Sequence, residues 1–150
     1  MAIATIRNSI IVFLKADANV TALCAAANID YGLDRDLLTS YLPKSIRVVQ
    51  AGIDSEKLVS FSGTQSFEEP DAFTIIAFRE FESTDTAKTV EDWASDMTYA
   101  VRNCFRKNIT LGGTVRKVQI GRSLFLTHAT KAKVRMILTE IMAIKRVQAA

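Results

Sequence analysis

The chain has 150 residues, 49% apolar and 23% charged, a balance typical of a globular domain and not of a disordered chain. A chain of this length can fold without a disulfide or a metal, so Cys24 and Cys104 are expected to be buried free thiols. The net charge of +3 hides an asymmetry: residues 1–100 carry 8 Lys/Arg and 15 Asp/Glu, whereas residues 101–150 carry 11 Lys/Arg and one acid. Three interpretations stay open: nucleic-acid contact, a subunit with one acidic and one basic docking face, or a fold that mixes both halves into a neutral surface.

Two short helices are predicted at the N-terminus. Thr5 is placed to cap the first helix, and Asp17 or Asn19 to cap the second, which runs to Cys24. The first helix has apolar residues at helical spacing, namely Ile6, Ile10, Phe13 and Leu14. The apolar run at residues 10–14 is too short for a signal peptide or a membrane span, so a cytoplasmic origin and no membrane contact are expected.

Three strands and a loop are predicted in the middle of the chain. The segments Lys44–Gly52 and Glu56–Gly63 are strand candidates, and a turn at Gly52–Ser55 would join them as a hairpin. The composition of Thr64–Asp71 predicts a loop. Asp71–Ser83 is the clearest strand, and its middle is apolar on both faces, as in a central strand covered on both sides.

The clearest helix lies between Ser83 and Asn108, over about residues 85–107. Acidic residues lie near its start and basic residues near its end, which is the order that the helix dipole favours. Its apolar stripe consists of Val90, Trp93, Met97, Val101, Cys104 and Phe105. This stripe is expected to belong to the core.

The C-terminal part contains a segment whose pattern fits either a helix or a strand. A strand is predicted around Val115–Ile120 and a less regular segment around Leu124–Leu126. The residue types of Lys131–Val147 favour a helix, but its alternation and its positive first turn favour a strand, bent near Thr139 and Glu140. The predicted fold class is therefore α+β: a single domain, 1–150, with a mixed or antiparallel sheet on which the long helix and the N-terminal helices pack.

No arrangement of residues in the sequence indicates catalysis. His128 is the only histidine, and no G-x-S-x-G motif is present. Glu68 and Glu69 are adjacent, so they would point in different directions on a regular element. The aspartates between Asp30 and Asp36 do not continue into a calcium loop. An enzymatic activity, a cofactor and a metal site are therefore not expected.

The order of four features carries a resemblance to a known family. They are Ala18–Leu23 with Ile29–Tyr31, the strand Ile46–Val49, the helix around Trp93 and the basic alternating last strand. In this order they resemble the tail-terminator (tail-completion) proteins of long-tailed bacteriophages and their small neck-protein relatives. The resemblance covers most of the chain and implies a ring, usually hexameric, that caps the head-proximal end of the tail tube and stops its growth.

The same resemblance implies the partners and the location. The partners would be copies of this chain, the tail-tube protein, the head-side connector protein and, in contractile tails, the tail sheath. DNA would pass through only as cargo, and the protein would reside in the tail or neck of the virion. Two alternatives stay open, namely a head-side connector or neck adaptor protein and a nucleic-acid-binding protein.

The candidate inter-subunit or partner contacts lie on the predicted strands and loop. Lys131, Lys133 and Arg135 would share one face of the last strand, which equally suits an edge strand protected against aggregation. The loop over residues 63–70 would order on docking. The candidates are Lys44, Arg47, Phe67, Glu68, Glu69, Arg116, Lys117, Arg122, Lys131, Lys133 and Arg135.

Overall fold

A six-stranded sheet with helices on one face makes up the described part of the protein. The computed structural model describes residues 2–32, 44–60, 65–127 and 134–148. In these ranges the helices are α1 (Ile3–Ala16), α2 (Ala18–Leu23) and α3 (Ala87–Lys107), with a 3₁₀ turn at Ala26–Asn28. The strands are β1 (Ile29–Tyr31), β2 (Lys44–Ile53), β3 (Lys57–Ser60), β4 (Ser66–Glu80), β5 (Lys117–Thr127) and β6 (Val134–Gln148).

Asp17 separates the first two helices and caps the second one. Its Oδ1 accepts hydrogen bonds from the amides of Asn19 (2.9 Å) and Val20 (3.1 Å), so Asp17 is the cap of the two that the sequence offered. The predicted cap of α1 is wrong, because the amide of Thr5 already donates to the carbonyl of Ala2 and the helix begins earlier.

The strand order is β1-β2-β4-β6-β5, and β3 also pairs with β4. β1 runs parallel to β2, and the other pairs among the described strands are antiparallel, so the sheet is mixed. β4 lies between β2 and β6 and is buried on both faces in its middle, as predicted for a central strand. The predicted α+β fold class is confirmed.

The predicted hairpin between β2 and β3 is wrong. Both strands pair antiparallel with the same edge of β4, β2 opposite Asp71–Arg79 and β3 opposite Ser66–Glu68. The chain therefore keeps its direction through residues 54–56, where the predicted turn would have reversed it. A bulge between Gln50 and Gly52 shifts the register just before this point, and Gly52 has φ of 139°.

The loop predicted over residues 64–71 contains the first part of β4, which begins at Ser66 and pairs with β6. Pro70 is tolerated in this strand because of where its backbone points. Its carbonyl accepts a hydrogen bond from the amide of Asp54 at 2.9 Å, so its nitrogen faces the same break between β2 and β3. The absent N–H of Pro70 therefore removes no ladder hydrogen bond. Residues 61–64 lie outside the described ranges.

The main core lies between the helices and one face of the sheet. All six residues of the predicted α3 stripe are buried, and five of them, all but Val90, belong to this core. The core also contains Ile6, Ile10 and Leu14 of α1 and Phe73, Ile75, Ile137 and Ile141 of the sheet. Burial of a side chain of this size stabilises the fold by about 1.5–3 kcal/mol. Trp93 Nε1 donates to the carbonyl of Leu23 at 3.1 Å, which joins α3 to α2 and satisfies the indole N–H.

The ambiguous C-terminal stretch is a strand, as predicted. β6 pairs with β4 in unbroken register from Val134 to Gln148, and residues 131–133 lie outside the described ranges. The irregularity predicted near Glu140 is instead in the facing strand β5, whose register shifts between Ile120 and Ser123. A Cβ at Gly121 would lie only 3.0 Å from the carbonyl oxygen of Glu140, so a side chain at this bulge would force the Glu140 backbone to shift. Residues 124–126, predicted as less regular, belong to β5.

Candidate functional site

Three of the candidate contact residues pair within the chain at the end of the β4–β6 ribbon. Arg116 Nη1 lies 3.2 Å from Glu68 Oε1. Lys145 Nζ lies 3.1 Å from Glu69 Oε1 and 3.0 Å from Asp71 Oδ2. These ion pairs fasten β4 to β6 and to the segment that leads into β5. A role of Glu68, Glu69 and Arg116 as partner contacts stays a prediction.

Lys145 lies between two carboxylates at a place with little access for water. Burial raises the pKa of the fully enclosed Asp71 carboxyl, although Lys145 acts in the opposite direction. Burial would also raise the pKa of Glu69, but Lys145 and Asp71 together lower it. Burial would lower the pKa of Lys145, but the two carboxylates together raise it, so its ammonium stays charged. The hydrogen bond that the protonated Glu56 carboxyl donates to Glu69 raises the pKa of Glu56, the exposed carboxyl next to this cluster.

Arg47 and Lys44 hold the N-terminal end of β2 against the turn that precedes β1. Arg47 Nη1 donates to the carbonyls of Asn28 (2.9 Å) and Ile46 (3.0 Å). The carbonyl of Lys44 accepts a hydrogen bond from Asn28 Nδ2 at 3.2 Å. The Arg47 side chain is therefore occupied by local structure, while the half-buried Lys44 lies opposite Arg79 in the sheet.

Arg135 connects the sheet to α3. Its Nε lies 2.9 Å from Glu91 Oε1 on α3, and its guanidinium lies 5.8 Å from the centroid of the Phe125 ring. Lys131 and Lys133 lie outside the described residues. The common face that was predicted for these three cations therefore stays a prediction.

The remaining candidates are more open to solvent. Lys117 and Arg122 are exposed on β5; Arg122 lies 3.4 Å from Glu140, whereas Lys117 has no ionic partner in the described part of the chain. Phe67 is partly buried and lies opposite Val147 of β6.

Ion pairs between the two halves of the chain cancel much of the charge asymmetry. Within the described ranges, four cations from the last 50 residues pair with acids from the first 100: Lys107 with Asp17, Arg116 with Glu68, Arg135 with Glu91, and Lys145 with Glu69 and Asp71. This pairing favours the interpretation in which folding mixes the two halves.

Exposed apolar side chains at the two sheet edges were missed by the sequence analysis. On the β5 side, Phe125 (45% exposed), Leu126 (43%) and Tyr99 of α3 (64%) reach solvent. Tyr99 and Phe125 line a groove of about 350 Å³ between α3 and β5. At the opposite edge, Tyr31 of β1 is 57% and Ile53 of β2 is 60% exposed. The Leu-Phe-Leu run and the position of Tyr99 off the apolar stripe were visible signals, but only the strand order places these residues at edges.

The described residues include potential metal ligands and two thiols. No three His, Cys, Asp or Glu side chains among them are grouped to hold a metal ion. Cys24 and Cys104 are buried and free, as predicted, and burial raises the pKa of both thiols to about 11. Such thiols stay protonated at neutral pH and are poor nucleophiles. No helix in these ranges is long and apolar enough to cross a membrane.

Comparison with known proteins identifies similar structures. No protein family matches the chain, and no curated protein matches its sequence. A chain from the virion of a native gene transfer agent particle is 15% identical with a TM-score of 0.56, over 99% of this chain and 98% of that one. A chain from the sheath/tube terminator of an extracellular contractile injection system (PVC), in its extended state, is 11% identical with a TM-score of 0.52, over 99% of this chain and 58% of that one. At these identities the likeness establishes the fold.

Proposed function

We propose that residues 1–150 form one tail-terminator-like domain, a structural virion protein that caps the head-proximal end of a phage-like tail tube as a ring. The agreement of fold over 99% of the chain with a virion component and with a sheath/tube terminator carries this proposal. The match also spans 98% of the gene transfer agent chain, so the similarity extends over a whole subunit and not over a local motif.

A capping ring works through its surfaces. It ends polymerisation by occupying the surface to which the next ring of tube protein would add, and its other side then joins the head-side connector. In a contractile tail the ring also meets the sheath. Such a subunit needs heterologous interfaces that close by rotation, and it needs no active site. The proposed partners are therefore copies of this chain, tube protein, connector protein and sheath.

The pairing of Lys and Arg side chains with carboxylates of the same chain suits a protein through which DNA passes better than a protein that binds DNA. Neutralisation of phosphates by free Lys and Arg side chains supplies most of the affinity of proteins for DNA. Arg116, Arg135 and Lys145 are instead paired with carboxylates of their own chain. This observation supports the terminator over a nucleic-acid-binding protein.

The length of reconstituted tail tubes tests the proposal. Tail-tube protein from the same source as this chain is polymerised with and without it, and tube lengths and end structures are measured by electron microscopy. Tubes should stay short and carry a ring of extra density at one end when the chain is present, and should grow without limit when it is absent.

A second arm of this experiment separates the terminator from a head-side connector. The chain is incubated with finished tubes and, in parallel, with the portal-side connector protein, and each mixture is fractionated by size. Decoration of one tube end supports the terminator. Binding to the connector protein alone, with tube growth unaffected, would assign the chain to the head side of the neck.

A further inference from the structure

We propose that the two opposite edges of the sheet join neighbouring copies of this chain head to tail. In this contact the β5 edge of one copy, with Tyr99, Phe125 and Leu126, packs against the β2 edge of the next, with Tyr31 and Ile53. The proposal rests on the ring assembly that the proposed function requires, and it identifies the surfaces that build the ring.

The distribution of exposed apolar residues is the first argument. The large hydrophobic side chains that are exposed in the described ranges are Val12, Tyr31, Ile53, Tyr99, Ile109, Phe125 and Leu126. Four of these seven lie on the strands at the two sheet edges, and Tyr99 of α3 lies in the groove beside Phe125. Exposed apolar surface concentrated in this way marks an interaction site, and aromatic side chains commonly anchor such sites.

The backbone at both edges is the second argument. β5 is the last strand on its side of the sheet, and no described strand pairs with its outer side. The Val118 amide there already donates to the carbonyl of Ile109 at 2.7 Å, so the open part of this edge lies beyond Val118. On the other side, β1 covers β2 only at residues 46–48, and the whole stretch 50–57 is exposed. Each edge also carries one bulge, at Gly52 and near Gly121. A bulge interrupts the regular backbone pattern and so opposes the addition of a further strand. The contact between copies would therefore be made mainly by side chains.

Charge favours a copy of the same chain as the occupant, bound through the opposite edge. β5 carries Lys117 and Arg122 and no acid. The opposite edge carries the exposed acids Asp30 and Asp54, and neither has a cationic partner in the described part of the chain. Lys117 likewise lacks an acidic partner there. Two unlike edges that match in apolar surface and in charge form a heterologous contact, which gives a ring where the rotation between copies closes and an open filament where it does not.

Two edge-blocked variants test the contact. One is Phe125→Glu with Leu126→Glu, and the other is Tyr31→Glu with Ile53→Glu; all four native side chains are more than 40% exposed, so the monomer should still fold. Native mass spectrometry should find wild-type rings, but monomers for each variant alone, with association weakened at least about 30-fold, as when buried anchors are lost. An equimolar mixture should give heterodimers and nothing larger, because one intact contact remains per pair. Val12→Glu, an equally exposed change on α1 away from both edges, should leave rings intact.

Other outcomes separate this proposal from the proposed function. Rings that persist in either edge-blocked variant, or a mixture that stays monomeric while circular dichroism shows both variants folded, would overturn the edge contact. If those variants still cap tail tubes, the terminator function stands without it. Wild-type protein that forms no ring and leaves tube growth unchanged would overturn both.

Discussion

At the scale of single residues, the charge balance around Asp71 depends on Lys145. Asp71 is fully enclosed, and the ammonium of Lys145 lies 3.0 Å from its carboxylate. A buried ion pair of this kind adds little net stability, because the desolvation of both charges offsets their attraction. The loss of one partner is costly, because it leaves an uncompensated charge in a site without water. In the sequence Lys145 merely ended an apolar run, and its role became visible only with its partners from β4.

Replacing Lys145 with methionine should lower the free energy of unfolding by about 3–5 kcal/mol near neutral pH, because the Asp71 carboxylate would stay buried without a cation. Burial raises the pKa of Asp71 above its ordinary value of 3.8, so protonation on acidification should remove part of this deficit. Urea unfolding at neutral and mildly acidic pH measures both effects.

Arg122→Met is the matched control for this substitution. It breaks the pair with Glu140, which is exposed and has a separation of 3.4 Å, and should cost less than about 1 kcal/mol. Equal losses for the two variants, or a Lys145→Met deficit that grows as the pH falls, would contradict the assigned role of Lys145.

The candidate contacts show why single residues are hard to assign from sequence. The alternation of the last strand placed Arg135 correctly on a strand, but the partner of Arg135 lies far away along the chain. Arg135 meets Glu91, which is 44 positions earlier. Such pairs depend on the sheet register and on the packing of α3, neither of which a local pattern contains.

At the scale of elements, the junction between β2 and β3 lets both strands share one edge of β4. Gly52 has φ of 139°, a conformation that residues with a side chain rarely adopt. No heavy atom lies within 4 Å of the place where its Cβ would be. Any cost of a side chain at this position must therefore come from the backbone and not from a clash.

Gly52→Ala should lower the free energy of unfolding by about 1–3 kcal/mol, the cost of a non-glycine residue in a sparsely populated conformation. Thermal unfolding followed by circular dichroism measures the change, and hydrogen exchange should show faster opening of β3. Ala51→Ser, at the exposed neighbouring position, should stay within about 0.5 kcal/mol of wild type. A Gly52→Ala variant as stable as wild type would show that the junction adapts without strain.

The spacing of apolar residues predicted correctly the elements whose core-facing residues are buried along their whole length. The α3 stripe and the middle of β4 are apolar because each is buried over its whole length. The first part of β4 was mistaken for a loop because it is polar: Glu68 and Glu69 are matched there by Arg116 and Lys145. Cross-strand ion pairs replace the hydrophobic alternation that identifies a strand in the sequence. The false hairpin has a similar origin, since Gly52 signals a turn although it forms a bulge.

At the scale of the whole molecule, folding determines what the charge asymmetry means. The sequence left nucleic-acid contact, opposed docking faces and a mixed surface open. The described ion pairs join the acidic and basic halves, and unpaired charges such as Asp54 and Lys117 remain at opposite sheet edges. The order of elements was sufficient to predict the fold class, whereas the location of an interface depended on the strand order in space.

Wild-type protein should bind duplex DNA weakly near physiological salt, with a log–log salt slope below about 2 in magnitude, because Arg116, Arg135 and Lys145 of the described residues are paired with carboxylates of the same chain. The double variant Glu68→Gln with Glu91→Gln releases Arg116 and Arg135 from their pairs and should steepen the slope by about 2. Fluorescence anisotropy at several salt concentrations measures both slopes. A steep slope for the wild type, equivalent to about six or more phosphate contacts, would revive the nucleic-acid-binding alternative.

The burial of both native thiols makes site-specific labelling of this protein practical. Cys24 and Cys104 are buried and protonated, so neither native thiol should react with maleimides or disulfide reagents while the protein is folded. A cysteine introduced at an edge would therefore be labelled alone, against an unreactive background. In the proposed edge contact, cysteines at positions 53 and 125 of the same chain would lock neighbouring copies covalently, and the subunits of the resulting assembly would then be counted as a ladder on a denaturing gel.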